Sequence, residues 1–339
     1  MSRRHTEGSP GAAVDRARLA LVGAETPEGA RIREALADRG IAGERVNLFG
    51  RTRGEVVLSE YAGEARLIQE PETAEVMGHD VIFLCETSSV THRILSLHEP
   101  GTLVVDAVGC AGDREGTPIV HMDINPGAIA SAGDVIAVPH GISAILSEVL
   151  HAVDVGPGVR RAAAVVFRPA ADFGEEGLEE LREQTVRLFN FGEVPREILG
   201  AQLSFNVIPE RLRRGGGPQL DRRVEREVGQ INAWEEPRLA VRIVNVPVFH
   251  GHAAFVQVEP EGEADVDTVA DALDAATGVE RTKDDTAGTP VEIAGDRRTV
   301  IADLSTDATG ASWIWLVAGE LGRVPAEHAV RLAAELKDL

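Results

Sequence analysis

Short apolar runs alternate with amphipathic stretches through the first half of the chain. The runs occupy residues 19–22, 46–49, 81–85, 103–106 and 135–138. Between the first two, the spacing of Ile32, Ala35 and Leu36 predicts a helix over 27–39, with Thr26 as its cap and Gly40 after its end. Strands that alternate with helices predict a parallel, right-handed Rossmann-type sheet in an α/β fold.

The pattern changes near residue 139, where longer apolar alternations begin. Helices are predicted over 143–153, 178–189, from Asp265 to about 275, and over 325–339. Strands are predicted over 162–167, 239–249, 253–259, 300–304 and 312–317, with a break at Gly251. We expect these strands to pair antiparallel in an α+β domain. The predicted organisation is a disordered tail over 1–16, a first domain over 17–138 and a second over 139–324.

Composition and charge narrow the classes of partner. The chain has 339 residues and a formal net charge of −21, which disfavours nucleic acids and anionic membrane surfaces. No apolar run is long enough to span a bilayer. The two cysteines, Cys85 and Cys110, are too few for a disulfide framework, which favours a cytoplasmic location.

A glycine turn lies between the first strand and the first helix. It runs from Gly23 to Gly29 (GAETPEG), where a dinucleotide pyrophosphate would meet a helix N-terminus. Thr26 and Pro27 stand inside it, and Thr26 replaces the usual middle glycine. Glu25 and Glu28 favour the alternative, a plain turn that binds nothing, because carboxylates repel a pyrophosphate. Both interpretations stay open.

The second strand ends in a basic segment, Arg51, Thr52 and Arg53. An arginine here suits the 2′-phosphate of NADP, whereas an acidic residue would suit the ribose of NAD. If a cofactor binds, we therefore expect NADP. The alternative is a solvated basic loop.

Four segments together resemble the aspartate-semialdehyde dehydrogenase family, including its Usg-type members. They are VGAxTPxG at 22–29, DINPGAI at 123–129, QLSFNVIPE at 202–210 and VNVPVFHGHAAFV at 244–256. The resemblance implies an NADP-binding Rossmann domain, a second domain for catalysis and dimerisation, and a final helix that packs on the first domain. It also implies a cytoplasmic homodimer in amino-acid biosynthesis. The family reaction is the NADPH-dependent reduction of aspartyl phosphate to aspartate semialdehyde through a cysteine thioester.

The resemblance carries over residue by residue with a mixed result. It implies catalytic roles for His252, Asn206 and Glu227, and a substrate-side role for Arg223, where the family has lysine. The family's cysteine position holds Gly141, next to His140. The chain departs from the family at four further positions. His250 and Gly112 stand where the family has arginine, Arg168 where it has glutamine, and Glu320 where it has asparagine. We therefore expect a divergent or inactive homologue that still binds NADP, a small molecule or a partner.

Two alternatives keep a chemistry of their own. In the first, Cys85 or Ser143 replaces the nucleophile and His252 is the base, although Cys85 also suits a buried core residue and Ser143 a helix N-cap. In the second, His140, His250 and His252 hold zinc, with the last two on one face of a continuous strand. A His–x–His pair is a weak signal, so we assign no metal ligand.

Overall fold

The computed structural model describes residues 16–339 except 53, 55, 112–115, 263, 283–287, 297, 320, 322 and 338. The predicted tail lies outside the described residues apart from Arg16, and so do Arg53, Gly112 and Glu320. In the described part of the chain, no helix is both long and apolar enough to cross a membrane.

Seven strands form the first sheet, in the order β3-β4-β2-β1-β5-β6-β7. They are β1 Leu19–Val22, β2 Val46–Phe49, β3 Val57–Tyr61, β4 Glu64–Gln69, β5 Val81–Leu84, β6 Leu103–Asp106 and β7 Val135–Ala137. All neighbours are parallel except β3 and β4, and the predicted Rossmann-type sheet is confirmed. The edge hairpin β3–β4 was not predicted, because its turn lacks an Asn-Gly or Asp-Gly pair; Ala62 and Gly63 adopt positive φ instead.

Seven strands also form the second sheet, in the order β12-β13-β14-β11-β8-β10-β9. They are β8 Val159–Arg168, β9 Ile208–Pro209, β10 Leu239–Asn245, β11 His252–Pro260, β12 Val279–Arg281, β13 Thr299–Thr306 and β14 Ser312–Ala318. The predicted antiparallel pairing is right for β8–β11, β11–β14 and β13–β14 but wrong for β8–β10, which are parallel. The short strand β12 was not predicted, and it pairs parallel with β13. A long connection with two helices separates β8 from β10, as a parallel pair requires.

The helices cover both faces of the first sheet and mainly one face of the second. They are α1 Pro27–Asp38, α2 Thr73–Val76, α3 Ser89–Leu97, α4 Gly141–Val155, α5 Gly174–Phe189, α6 Gln219–Ile231, α7 Val266–Asp274, α8 Pro290–Ile293 and α9 Arg323–Lys337. The interpretation of Ser143 as an N-cap is wrong. Helix α4 begins two residues earlier, because the side chain of His140 accepts a hydrogen bond from the amide of Ile142 and caps the helix. Ser143 is buried inside the first turn.

Two apolar cores hold these layers together, and α9 connects them. Ala329, Val330 and Leu332 of α9 are buried in the core of the first sheet beside α1. The second core lies between α4, α6, α7 and one face of the second sheet. The N-terminal end of α4 thus lies where the two halves meet, and a cleft opens there between α1 and β11.

Candidate active site

His252 begins strand β11, directly after the positive-φ turn at Gly251. Its Nε2 lies 3.0 Å from Oδ2 of Asp172, which sits in a short 3₁₀ turn after β8. The guanidinium of Arg168 donates from Nε to the same carboxylate oxygen at 2.9 Å. The three side chains form one connected polar chain at the wall of the cleft.

The charge on Asp172 fixes the orientation of His252. Burial opposes ionisation of this carboxyl, but the adjacent His252 and Arg168 outweigh burial and hold the pKa of Asp172 well below its usual range. A carboxylate only accepts hydrogen bonds, so Nε2 is the nitrogen that donates to Asp172. The other nitrogen, Nδ1, is buried and has no hydrogen-bond partner within the described residues.

A second polar group ties the start of α4 to α6. The amide of His140 donates to Oε2 of Glu227 at 2.8 Å, and Arg223 donates from Nε to Oε1 of the same carboxylate at 2.5 Å. Arg223 also reaches the carbonyl of Val108 in the first domain, at 2.6 Å. Burial, reinforced by the charge of Arg223, lowers the pKa of His140 to about 3. Glu227 and Arg223 therefore anchor the backbone beside the cavity and are not among its lining residues.

Gly141 lines a small cavity of about 70 Å³ together with His140, Arg168, Asp172 and His252. The backbone of Leu321 presses against this glycine. A Cβ atom added at Gly141 would lie 2.7 Å from the carbonyl oxygen of Leu321 and 3.0 Å from its carbonyl carbon. Such contacts are too close for any side chain, so a residue other than glycine requires Leu321 to move.

The glycine turn has the geometry of a nucleotide-binding loop. A Cβ on Gly29 would lie 2.2 Å from the carbonyl oxygen of Gly23. The backbone in the first turn of α1 therefore packs directly against the backbone after β1, and only glycine fits at position 29. Thr26 caps α1 by accepting from the amide of Gly29 at 3.1 Å. Its hydroxyl is also within 2.8 Å and 2.9 Å of the carbonyls of Gly23 and Cys85. Thr26 thus stabilises the loop, and Pro27 follows at the first helical position.

Carboxylates surround this loop. Glu86 is buried beside Gly23, and its Oε2 lies 3.2 Å from a terminal guanidinium nitrogen of Arg51. Glu25 accepts from the amide of Arg51 at 2.9 Å. Thr52 is also engaged, because its amide and hydroxyl both donate to Glu70, at 2.8 Å and 2.6 Å. The groups predicted to hold a 2′-phosphate are near the loop but already paired.

Comparisons with known proteins show which proteins the chain resembles. Residues 170–320 match the family model described as semialdehyde dehydrogenase, dimerisation domain. Aspartate-semialdehyde dehydrogenase 2 of Vibrio cholerae is 26% identical over 327 residues, which cover 93% of this chain and 96% of the relative. A USG-1 protein homolog of Azotobacter vinelandii is 24% identical over 324 residues, with 93% and 96% covered.

Solved structures share the whole fold. Aspartate semialdehyde dehydrogenase II of Vibrio cholerae, complexed with ASA, aligns with a TM-score of 0.82 at 23% identity and covers 95% of this chain and 98% of its own. The Candida albicans enzyme with NADP aligns with a TM-score of 0.69 at 13% identity, covering 96% and 99%.

The chain is similar to aspartate-semialdehyde dehydrogenases over nearly its whole length, and its residues 170–320 match the semialdehyde dehydrogenase dimerisation domain. The comparisons support the resemblance drawn from four short segments, and the predicted Rossmann domain joined to an α+β domain is confirmed. The structure brings His252, His140 and Gly141 to one cavity, while His250 lines the adjoining cleft of about 840 Å³. The sequence analysis did not identify Asp172 or Leu321 as site residues. The one available signal was that Asp172 stands at the i+4 position from Arg168, which the sequence analysis did identify.

Three further sequence-based interpretations concern Asn206, a zinc site and Cys85. Asn206 is exposed on a loop and bonds only locally, to Gln202 and to the amide of its neighbour, outside the cavity. The zinc interpretation assumed a continuous strand, but β11 starts only at His252 and Gly251 turns the chain before it. Among the described residues, His140, His250 and His252 do not form a group with metal-ligand spacing.

Cys85 is the third case. Its thiol is buried in the first core, and its one close polar neighbour is the carbonyl of Phe83 at 3.9 Å. Burial, with Glu28 and Asp106 nearby, raises the pKa of this thiol well above its usual range. A protonated thiol that faces the core is not a nucleophile, so the interpretation of Cys85 as a relocated nucleophile is wrong.

The half-buried ring of His140 predicts a pH dependence of stability. The pKa of His140 is about 3 in the folded protein and 6.5 for the free side chain. Between pH 3 and pH 6.5, the unfolded chain therefore binds a proton at His140 that the folded chain does not bind. The free energy of unfolding therefore falls as pH falls, with a slope from His140 of up to about 1 kcal/mol per pH unit. We expect His140→Gln to remove this slope in urea unfolding between about pH 4.5 and 6.5. His92→Gln, at an exposed site on α3, serves as control; equal slopes in the wild type and His140→Gln would refute the assignment.

Proposed function

We propose that this chain is a catalytically divergent family member that does not reduce aspartyl phosphate through a thioester. The observation that supports this is the contact between Gly141 and the carbonyl of Leu321. The resemblance implies that Gly141 stands where the family has its cysteine, and the space that a side chain would need there is filled by the backbone of Leu321. Neither Cys85 nor Cys110 lines the cavity, so no other thiol takes over.

The remaining cavity supports binding of a small polar ligand. Arg31 and Arg168 line it together with His252, and Asp172 holds His252 in one orientation. A ligand with a carboxyl group would pair with the guanidinium groups of Arg31 and Arg168. The volume of about 70 Å³ limits the enclosed part of the ligand to a few heavy atoms.

We expect no aspartyl phosphate reduction above background by the wild-type protein, assayed beside the Vibrio cholerae enzyme. Gly141→Cys should not restore turnover and should lower the free energy of unfolding by about 1–3 kcal/mol, because the new side chain overlaps Leu321. Gly127→Cys, where a Cβ would have no neighbour within 4 Å, provides the matched thiol control. Wild-type turnover at a rate similar to the reference enzyme would sink the proposal.

For the cofactor site, we propose weak binding with a preference for NADP over NAD. Some features favour cofactor binding and others oppose it. The close contact between Gly23 and Gly29 and the N-terminus of α1 suit a pyrophosphate, and Arg51 suits a 2′-phosphate. Glu25 and Glu86 oppose both, since each must be displaced or left beside a phosphate.

Removal of one carboxylate should therefore strengthen binding. We expect Glu86→Gln to tighten NADPH binding by roughly 1 kcal/mol, about fivefold, because Arg51 is released for the 2′-phosphate. Fluorescence titration with NADPH and NADH measures both affinity and preference. Glu183→Gln, on the exposed face of α5, controls for net charge; an unchanged NADPH affinity in Glu86→Gln would contradict this account of the site.

We also propose that the protein is a cytoplasmic homodimer. Its two cysteines are free, and the matching family model is a dimerisation domain. One face of the second sheet leaves apolar side chains partly exposed: Val165, on β8, is 37% exposed and the neighbouring Phe255, on β11, is 40% exposed. Phe255 stacks on Trp315 with ring centroids 4.5 Å apart. This outer sheet face is the surface that we assign to the second copy.

A charge in the outer sheet face should separate the protomers. We expect Phe255→Arg to elute as a monomer in size-exclusion chromatography with light scattering, because an arginine buried without a partner opposes association. Leu97→Arg, at an exposed position on α3, should leave the dimer intact. A monomeric wild type, or a dimeric Phe255→Arg, would contradict the assignment.

A further inference from the structure

Three buried ionisable side chains meet away from the His252 cavity. His121 follows β6, Glu148 lies on α4 and His328 on α9, and they are respectively 0%, 9% and 2% exposed. Nε2 of His121 lies 3.2 Å from Nε2 of His328 and 3.4 Å from Oε1 of Glu148. One ligand atom from each residue lies within 4.8 Å of the others.

These distances match a metal coordination sphere. Ligand atoms at zinc are about 2.0–2.1 Å from the ion, so neighbouring ligands in a tetrahedron are about 3.3 Å apart.

The cluster is poorly satisfied by protein groups alone. A buried carboxylate is normally paired with a cation or bound to a metal. Oε2 of Glu148 has no hydrogen-bond partner among the described residues. A single proton between the two Nε2 atoms cannot also neutralise the carboxylate. A divalent cation would bind all three ligand atoms and supply the missing positive charge.

We propose that His121, Glu148 and His328 form a binding site for a divalent transition ion of the zinc class. Three protein ligands leave a fourth position, which a water molecule would occupy. Glu148 also lines a surface pocket with Asp123 and His151, and this pocket is the entry path for the ion.

The surroundings hold the ligands in place. Asn125 accepts a hydrogen bond from the amide of His121 at 2.7 Å. Gly278 has positive φ, and a Cβ there would lie 3.0 Å from the carboxylate of Glu148, so only glycine lets the backbone approach so closely. Arg331 on α9 forms two hydrogen bonds with Asp123 at 2.9 Å and 2.7 Å.

The position of the site suggests what the ion does. Glu148 lies about 10 Å along α4 from Gly141, and α9 contributes Pro325 and Ala326 to the same cavity. An ion held by α4, α9 and the segment after β6 would therefore fix the relative position of the two helices that frame the cavity. Its role is structural at the junction of the two sheets.

The test uses the full-length chain, purified without a histidine tag and stripped with a chelator. We expect one Zn²⁺ per chain by elemental analysis after reloading, and a visible absorption band of four-coordinate cobalt on titration with Co²⁺. Zn²⁺ should also raise the melting temperature of the wild type. Absence of both stoichiometric zinc and the cobalt band in the wild type would overturn the proposal.

Variants assign the ligands. Glu148→Gln keeps the shape of the side chain and should weaken Co²⁺ binding at least about tenfold, and His328→Gln should do the same. The control is His79→Gln, which changes a buried histidine of the first domain that pairs with Asn47. Circular dichroism shows whether each variant folds, and the isosteric Glu148→Gln keeps the test decisive if His328→Gln does not. Wild-type Co²⁺ affinity in a folded Glu148→Gln would overturn the proposal.

Discussion

The close packing of one backbone against another, Leu321 against Gly141, is the constraint on which the rest of the site depends. It places the first turn of α4 directly beneath the segment that leads from β14 into α9, and it leaves no room for a side chain at the start of that helix. His252 pairs with Ala318 at the end of β14, so the same segment also sets the position of the imidazole. The cavity is consequently shaped by backbone on one side and by the Arg168–Asp172–His252 chain on the other.

The loop proposed to bind a cofactor follows the same principle, since backbone contacts determine its shape. Gly23, Thr26 and Gly29 produce the tight strand-to-helix turn from purely local contacts. The carboxylates of Glu25 and Glu86 then occupy the donors that a phosphate would use. The shape of this loop therefore does not depend on a ligand, because its packing and hydrogen bonds are made within the protein.

The regular elements could be predicted from the sequence because they follow local rules. Apolar runs and the Thr26 cap predicted β1 and α1 at almost their observed bounds. Elements that depend on tertiary context could not: the β3–β4 hairpin lies at a half-exposed edge, and the cap of α4 is His140, whose ring accepts the hydrogen bond. The cluster of His121, Glu148 and His328 was missed because its members are up to 207 positions apart and belong to no motif.

The central claim is that no thiol attacks the acyl group in this cavity, and intact-mass spectrometry tests it most directly. The protein would be incubated with aspartyl phosphate in the absence of NADPH, where a thioester intermediate cannot be reduced, beside the Vibrio cholerae enzyme as the positive reference. This account predicts an unchanged mass for this chain and a covalent aspartyl adduct on the reference. An adduct on this chain that maps to Cys85, Cys110 or any residue lining the His252 cavity would contradict it.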